Sequence, residues 1–177
     1  RVAICDRALN ACERIHLANT PERGERCAAC HSKNSTFYRK QGYEPLGMSA
    51  ILRPVDREEA GRLAREIPRD EIVDLVFERV PVGRHAYAST LRSLLIGELT
   101  EAPEHEAALR GYLESALLMV RCCHRILETE RPEVVVVSHG IYLWGVVADF
   151  FREHGVRVVT HNVGYRRNTT YWFHQET

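Results

Sequence analysis

The sequence predicts an α/β fold in which helices flank a parallel sheet. Residues 134–137 are four consecutive valines bounded by Pro132 and Gly140, which is typical of a strand covered on both faces. An apolar pattern with helical spacing follows, and then a second β-like run at residues 156–160. A strand–helix–strand unit with such short connections makes its two strands parallel. The predicted fold class is therefore a Rossmann-like parallel sheet, preceded by an irregular cysteine-rich segment.

Length and composition indicate a single globular domain over residues 1–177, because 45% of the residues are apolar and 27% are charged. The longest strongly apolar stretches, residues 116–120 and 134–137, are far too short to span a bilayer. The 24 basic residues balance 24 acidic ones, so the basic excess typical of nucleic-acid-binding proteins is missing. With six cysteines and no recognisable secretion signal, we expect a cytoplasmic protein with no nucleic-acid partner and no transmembrane segment.

The N-terminal half gives the weaker patterns. Residues 1–5 are expected to form a short buried strand and residues 6–43 to be irregular, because cysteines and turn residues interrupt any periodicity. A helix is expected from Asp56, with Glu59 as its capping-box partner, to a stop at Pro68. The remaining expectations are a β-like segment at 72–80, a turn at 81–83 and a helix at 87–99.

The clearest helical pattern follows Pro103 and covers residues 104–129. Its apolar face repeats at intervals of three and four residues and consists of Leu109, Leu113, Ala116, Leu117, Val120, Cys123, His124 and Leu127. The adjacent Cys122 and Cys123 are expected to pack as small hydrophobic residues. The helix between the two predicted parallel strands has a core face of Leu143, Val146, Val147, Phe150 and Phe151, and Gly155 ends it.

The ends of the two parallel strands carry the candidate functional residues, since ligands bind at the carboxyl edge of such sheets. His139 is the candidate catalytic residue, because imidazole gains and loses a proton near neutral pH. The candidate substrate-binding residues are Gly140, Tyr142, His161, Gly164, Tyr165, Arg166 and Arg167, which offer close backbone approach, aromatic stacking and anion binding. Helix capping by the histidine and simple solvation of the arginines remain open alternatives. No carboxylate lies beside His139 in the sequence, and neither Asp149 nor Glu176 is assigned as its partner.

The C-terminal quarter also carries a family resemblance. Its segments are VVVSHGIY (residues 135–142), GVRVVTHNVGYRRNTT (residues 155–170) and Phe173–His174. Over residues 133–177 the chain resembles the N-terminal half of bacterial capsule and surface-polysaccharide glycosyltransferases of the two-Rossmann-domain (GT-B) type. The matching motifs are a histidine-glycine-x-tyrosine turn and a tyrosine-arginine-x-x-threonine segment.

This resemblance implies transfer of a sugar from a nucleotide-sugar donor to a surface or capsular glycan acceptor, in the cytoplasm or at the inner face of the membrane. The acceptor would be held mainly by the N-terminal half. The donor would bind mostly to a C-terminal Rossmann domain that these 177 residues lack, so the isolated chain is expected to be inactive. A hydride-transferring enzyme is disfavoured, because no G-x-G-x-x-G follows a predicted strand.

Four cysteines within residues 5–43 suggest a structural zinc site. Cys5, Cys12, Cys27 and Cys30 follow the spacing C-x6-C-x14-C-x2-C, and the last pair has zinc-knuckle spacing. His16 or His31 could replace one ligand, while free thiols, a disulfide, a redox C-x-x-C pair and an iron–sulfur cluster remain alternatives. The second function class is accordingly a zinc-stabilised, non-catalytic Rossmann-like binding module.

Overall fold

The computed structural model describes residues 1–12 and 23–174 and is a mixed α/β structure, with about 55% of the chain in helices. None of the helices in these two segments is both long and apolar enough to cross a membrane. In chain order the elements are β1 (Val2–Ile4), α1 (Arg23–Lys40), β2 (Pro45–Gly47), α2 (Met48–Ile51), α3 (Pro54–Glu66), a 3-10 turn (Arg69–Glu71), α4 (Val82–Leu94), α5 (Pro103–Glu130), β3 (Val134–Ser138), α6 (Tyr142–Glu153), β4 (Arg157–Val163) and β5 (Thr170–His174).

Helix α5 forms the centre of the core and packs against α2, α3, α4 and α6. It extends from Pro103 to Glu130 and confirms the helix predicted for residues 104–129. Its wide apolar face is buried in the core, as the spacing of the apolar residues predicts. Cys122 and Cys123 are each 3% exposed within this core, which confirms their prediction as buried hydrophobic residues. The largest side chains buried from α6 are Phe150 and Phe151, as the sequence predicts.

The described strands form two small sheets. Strands β1 and β2 are a parallel pair, and β4 lies between β3 and β5 in a three-stranded sheet. Strands β3 and β4 are parallel, from Val134 opposite Arg157 to Ser138 opposite His161, which confirms the predicted parallel unit. Strand β5 is antiparallel to β4, so the sheet is mixed. The α/β class is confirmed, whereas the larger Rossmann-like parallel sheet is not seen in the part of the chain that the structure describes.

The prediction that both faces of β3 are covered is wrong. Helix α6 packs against one face of β3 and β4, where Val137 and Val158 are buried. On the other face Val134 is 36% exposed and Val136 is 58% exposed. Four consecutive valines therefore indicate a strand here without indicating a second covering layer, because β-branched residues favour strands on either kind of surface.

The N-terminal expectations need two corrections. Residues 23–40 form helix α1 instead of an irregular segment, and the apolar pattern missed it because Ser35 alone is buried along the helix. Helix α3 begins at Pro54, with Arg53 as its N-cap, so Asp56 lies inside the first turn and does not precede it. The carboxylate of Asp56 accepts a hydrogen bond from the backbone N–H of Arg53 at 2.7 Å. Residues 13–22, which include the alternative zinc ligand His16, lie outside the described residues.

Residues 72–80 are not a strand, and residues 81–83 are not a separate turn. The first segment consists of turns that bury Ile72 and Val80 completely, with one isolated bridge between Phe77 and Val80. Helix α4 begins at Val82 and ends at Leu94, five residues before the predicted end at 99. Gly83 in the first turn of α4 allows close packing there, because a Cβ would overlap the backbone carbonyl of Ile72. Ile72 and Val80 are thus buried by tertiary packing and not within a paired strand.

A tight turn at residues 77–80 places two successive non-glycine residues in the left-handed region, Glu78 with φ 50° and Arg79 with φ 67°. Two backbone hydrogen bonds of 2.9 and 3.0 Å between Phe77 and Val80 close it. Turns of this geometry favour glycine, since each left-handed non-glycine residue is destabilised by about 1–2 kcal/mol. The side chain of Arg79 is 69% exposed, forms an ion pair of 3.8 Å with the carboxylate of Glu153 and donates a hydrogen bond of 3.4 Å to the backbone carbonyl of the same residue.

We therefore expect Arg79→Gly to raise the free energy of unfolding by about 0.5–1 kcal/mol, after the larger backbone entropy of unfolded glycine is subtracted. Urea unfolding, followed by circular dichroism, measures the change in the free energy of unfolding. The matched control is Arg62→Gly in the interior of α3, which should lower the free energy of unfolding by about 1 kcal/mol. A comparable decrease for both variants would contradict the assignment of strain to residue 79.

Candidate functional site

The carboxyl end of β3 lies directly beside β4. Ser138 is paired with His161, and the backbone N–H of His139 donates a hydrogen bond to the carbonyl of His161 at 2.9 Å. The structure therefore brings together His139 and His161, which are 22 positions apart in the sequence. Parallel pairing is the physical reason, since it places the two strand ends at the same edge of the sheet.

The turn between β3 and α6 has an unusual backbone. His139 has φ 51° and Tyr142 has φ 56°, so two non-glycine residues are left-handed within four positions. Such conformations are energetically unfavourable and concentrate at functional sites. Helix α6 starts at Tyr142, and its N-cap Ile141 provides no side-chain hydrogen bond to the first backbone N–H groups. A strained strand-to-helix turn and a helix N-terminus therefore occur together at the end of β3.

The structure separates the other predicted residues from this turn. Strand β4 continues to Val163, three residues beyond its predicted end, because β5 pairs with it. Gly164, Tyr165, Arg166 and Arg167 therefore lie in the turn between β4 and β5. At about 3.3 Å per residue, this turn begins roughly 10 Å further along the strand than His161. Tyr165 is 93% exposed. The substrate-binding roles of these four residues stay a prediction.

A histidine–carboxylate pair lies close to the β3–α6 turn. Nε2 of His85 on α4 lies 2.8 Å from Oδ2 of Asp149 on α6, and Arg152 approaches the other carboxylate oxygen at 3.3 Å. An ionised carboxylate only accepts hydrogen bonds, so this contact requires Nε2 to act as the donor. The His85 side chain is 14% exposed and that of Asp149 is 29% exposed. This is the arrangement in which a carboxylate orients an imidazole for proton transfer.

Gly145 connects this pair to the strand end. A Cβ at Gly145 would overlap Cε1 of His85, and it would lie 2.5 Å from Nδ1 of His85 and 3.1 Å from the carbonyl oxygen of Gly140. The imidazole thus packs against the first turn of α6, next to the β3–α6 connection. We define the strand-end site as His139, Gly140, Tyr142 and His161 together with the His85–Asp149 pair.

Sequence reasoning missed both His85 and Asp149 as partners. They are 64 residues apart and meet only because α4 and α6 pack together. The one signal in the sequence was an aspartate placed next to the apolar face of α6, between Val146 and Phe150. Gly145 in the interior of the same helix has a structural cause as well, since a Cβ there would overlap the His85 ring.

The cysteines do not assemble the predicted zinc centre in this structure. Cys27 and Cys30 lie on α1, and Nδ2 of Asn34 is 3.4 Å from Sγ of Cys30. Within residues 1–12 and 23–174, no three histidine, cysteine or carboxylate side chains are grouped closely enough to hold a metal ion. Zinc stays a prediction, which metal analysis of protein purified without chelator tests.

The two core cysteines are poor nucleophiles. Burial raises the pKa of Cys122 to about 12, with smaller contributions from the nearby negative charge of Asp6 and from Cys5. Burial also raises the pKa of Cys123 well above its usual range. Because the thiolate is the reactive form, these side chains contribute packing and not chemistry.

Two surface depressions occur elsewhere in the described structure. One has a volume of about 390 Å³ and is lined by residues that include Arg69, Tyr87 and Glu101. The other, of about 400 Å³, is lined by residues between 67 and 76. Neither of these two depressions includes a residue of the strand-end site.

Comparison with known proteins finds no family model, no curated protein and no solved structure that matches this chain. The fold and the site by themselves define a mixed α/β protein with an oriented histidine beside the carboxyl end of a parallel strand. This geometry and the resemblance of residues 133–177 are the features that point to a function.

Proposed function

We propose that this chain is the acceptor-side part of a glycosyltransferase that transfers a sugar from a nucleotide-sugar donor to a surface or capsular glycan. The observation that carries the proposal is the His85–Asp149 pair, which packs against Gly145 beside the β3–α6 turn. The histidine-glycine-x-tyrosine motif of the family resemblance, residues 139–142, forms that same turn. Sequence motif and oriented base thus meet at one place.

The reaction needs a base for the acceptor hydroxyl. Nδ1 of His85 accepts the hydroxyl proton, and the ionised Asp149 stabilises the imidazolium that forms. The acceptor oxygen then bonds to the anomeric carbon of the donor, while the bond from that carbon to the nucleoside diphosphate breaks and its electron pair leaves with the phosphate. His139 remains the second candidate for the base, or a donor to developing negative charge, as its sequence position predicts.

Recognition of the acceptor is assigned to the same edge. The phenol ring of Tyr142 is half-buried at the start of α6 and can stack on a sugar, and the backbone of Gly140 permits close approach. His161 lies alongside on β4. The donor nucleotide belongs to a Rossmann-like C-terminal domain in this proposal, so the 177 residues alone are expected to bind acceptor without transferring sugar.

Replacement of the base tests the proposal in the full-length protein. His85→Ala should reduce kcat about 10²–10⁴-fold, because that is the range that general-base catalysis contributes. His139→Ala measured beside it decides between the two histidines. The matched control is His105→Ala, since Nδ1 of His105 accepts a hydrogen bond from the backbone of Thr100 in the α4–α5 loop. Normal sugar transfer by folded His85→Ala and His139→Ala proteins would overturn the assignment.

The second candidate function is a non-catalytic glycan-binding module, and the partly exposed side chains of His139, Tyr142 and His161 favour it. Acceptor titrations followed by the NMR signals of His85, His139 and His161 detect binding in either case. Binding that shifts these signals, combined with no sugar transfer by the parent protein, would select the module.

A further inference from the structure

The hairpin formed by β4 and β5 has an unusually apolar exposed surface. We define the aromatic hairpin as residues 163–174. Its exposed large side chains, with the fraction of each that is accessible to solvent, are Val163 (78%), Tyr165 (93%), Tyr171 (44%), Trp172 (56%) and Phe173 (57%). A single exposed apolar residue is ordinary, whereas a contiguous group marks a surface that binds a partner.

These side chains lie on both faces of the hairpin. Trp172 is opposite His161 in the register, and the two rings are 5.1 Å apart, while Tyr171 and Phe173 alternate to the other face. Every residue of β5 is exposed, so the strand covers no part of the core. A partner that contacts both faces fits this shape better than one that occupies a single platform.

The charge of the hairpin is one-sided. The aromatic hairpin contains Arg166 and Arg167 and no aspartate or glutamate, whereas the whole chain has equal numbers of basic and acidic residues. Arg166 and Arg167 are exposed at the turn next to Tyr165, and neither forms an ion pair with a carboxylate within the described segments. The complementary partner is therefore anionic.

The turn is also structurally specified. The backbone N–H of Gly164 donates to the carbonyl of Thr169 at 2.8 Å, and a Cβ at Gly164 would overlap the Thr169 hydroxyl. The rings of Tyr165 and Tyr171 lie 5.9 Å apart. The aromatic and basic groups are consequently presented together on a formed hairpin before any partner binds.

We infer that the aromatic hairpin docks the protein on the surface of an anionic lipid bilayer. Tryptophan and tyrosine favour the boundary between headgroups and acyl chains, where their rings are apolar and their polar atoms stay hydrated. Arginine side chains beside them bind lipid phosphates, and the negative surface potential attracts them. A bilayer interface surrounds a projecting hairpin, which accounts for apolar side chains on both of its faces.

Vesicle binding by this chain tests the inference without any sugar-transfer assay. The chain has two tryptophans, so a Trp144→Phe background leaves Trp172 as the only fluorescent reporter. Vesicles of phosphatidylcholine are compared with vesicles that contain about one-third phosphatidylglycerol. We expect binding and a blue shift of Trp172 emission with the anionic vesicles, and a marked decrease in binding at high salt, because salt screens the arginine–lipid attraction.

Charge reversal at the turn supplies the critical comparison. Arg166→Glu/Arg167→Glu should weaken binding to the anionic vesicles by more than about tenfold, because it changes four unit charges at the lipid surface. Arg62→Glu/Arg92→Glu makes the same change on exposed positions of α3 and α4 and should bind within about twofold of the parent. Trp172→Ala, measured by co-sedimentation with the vesicles because its fluorescent reporter is removed, should weaken binding without removing its salt dependence.

Equal binding to neutral and anionic vesicles would overturn the inference, and so would an equal loss of vesicle binding in the control variant. It would also be overturned if Trp172 emission shifted with single-stranded nucleic acid or on self-association and not with vesicles. Each differs from a failure of the proposed function, since transfer activity is not measured. Vesicle binding that persists in the inactive His85→Ala protein would show that docking and chemistry are separate.

Discussion

Asp56→Ala should lower the free energy of unfolding by about 3–5 kcal/mol, the range found when one partner of a buried ion pair is removed. Asp56 is 4% exposed and forms a two-oxygen contact with the guanidinium of Arg125, at 2.7 and 2.9 Å from Nη2 and 3.1 Å from Nε. The same carboxylate binds the backbone N–H of Arg53. The substitution therefore leaves a largely buried arginine and a helix N-terminus without their acceptor.

The stability contributed by Asp56 should also depend on pH. Burial by itself raises the pKa of Asp56, but hydrogen bonds from Arg125 and from the backbone of Arg53, with the positive charges of Arg125 and Arg121, outweigh it and hold the pKa below the usual 3.8. For a lowered pKa, the stabilisation is complete above the unfolded-state value and disappears as the pH falls through the folded-state value. The difference between parent and Asp56→Asn should thus be full at neutral pH and shrink below about pH 3.8.

Urea unfolding at pH 7 and at pH 3 measures both effects. Asp74→Ala is the matched control, because Asp74 is exposed and should change the free energy of unfolding by less than about 0.5 kcal/mol. A decrease below about 1 kcal/mol for Asp56→Ala would mean that Arg125 finds another partner or enough water.

The elements that the sequence predicted well are those whose burial is visible in their own periodicity. Helix α5 and the β3–α6–β4 unit bury continuous apolar faces, so their spacing determined their structure. Helix α1 failed the same test because it is polar on nearly every side. Residues 72–80 failed for the opposite reason, since Ile72 and Val80 are buried by neighbouring helices in a segment with turn geometry.

In the candidate site, too, some contacts could be predicted from the sequence and others could not. The contact between His139 and His161 follows from parallel pairing and could be predicted from two strand ends. The His85–Asp149 contact depends on the angle and register at which α4 packs on α6, and no local pattern encodes that geometry. The extension of β4 to Val163 depended similarly on β5, whose exposed residues gave no burial pattern.

Gly145→Ala should abolish most transfer activity while leaving the fold intact, because the new methyl group would occupy the position of the His85 imidazole. Alanine is a better helix former than glycine by about 1 kcal/mol, and this offsets part of the roughly 1–3 kcal/mol expected from overpacking. The imidazole tip can move away whereas α6 cannot, so the contact with Asp149 should be lost first. We expect kcat to fall about as far as in His85→Ala, which is roughly 10²–10⁴-fold.

NMR signals of the His85 ring give a readout independent of catalysis, and they should change in Gly145→Ala as they do in Asp149→Asn. Gly111→Ala is the matched control on α5, because a Cβ there meets only the Cβ of Ala11 at 3.6 Å, an ordinary contact. That variant should keep full activity and gain slightly in stability, since it carries the helix-propensity benefit without the clash. An active Gly145→Ala protein with an unchanged His85 signal would show that the imidazole does not act from this position, and the base would then have to be His139.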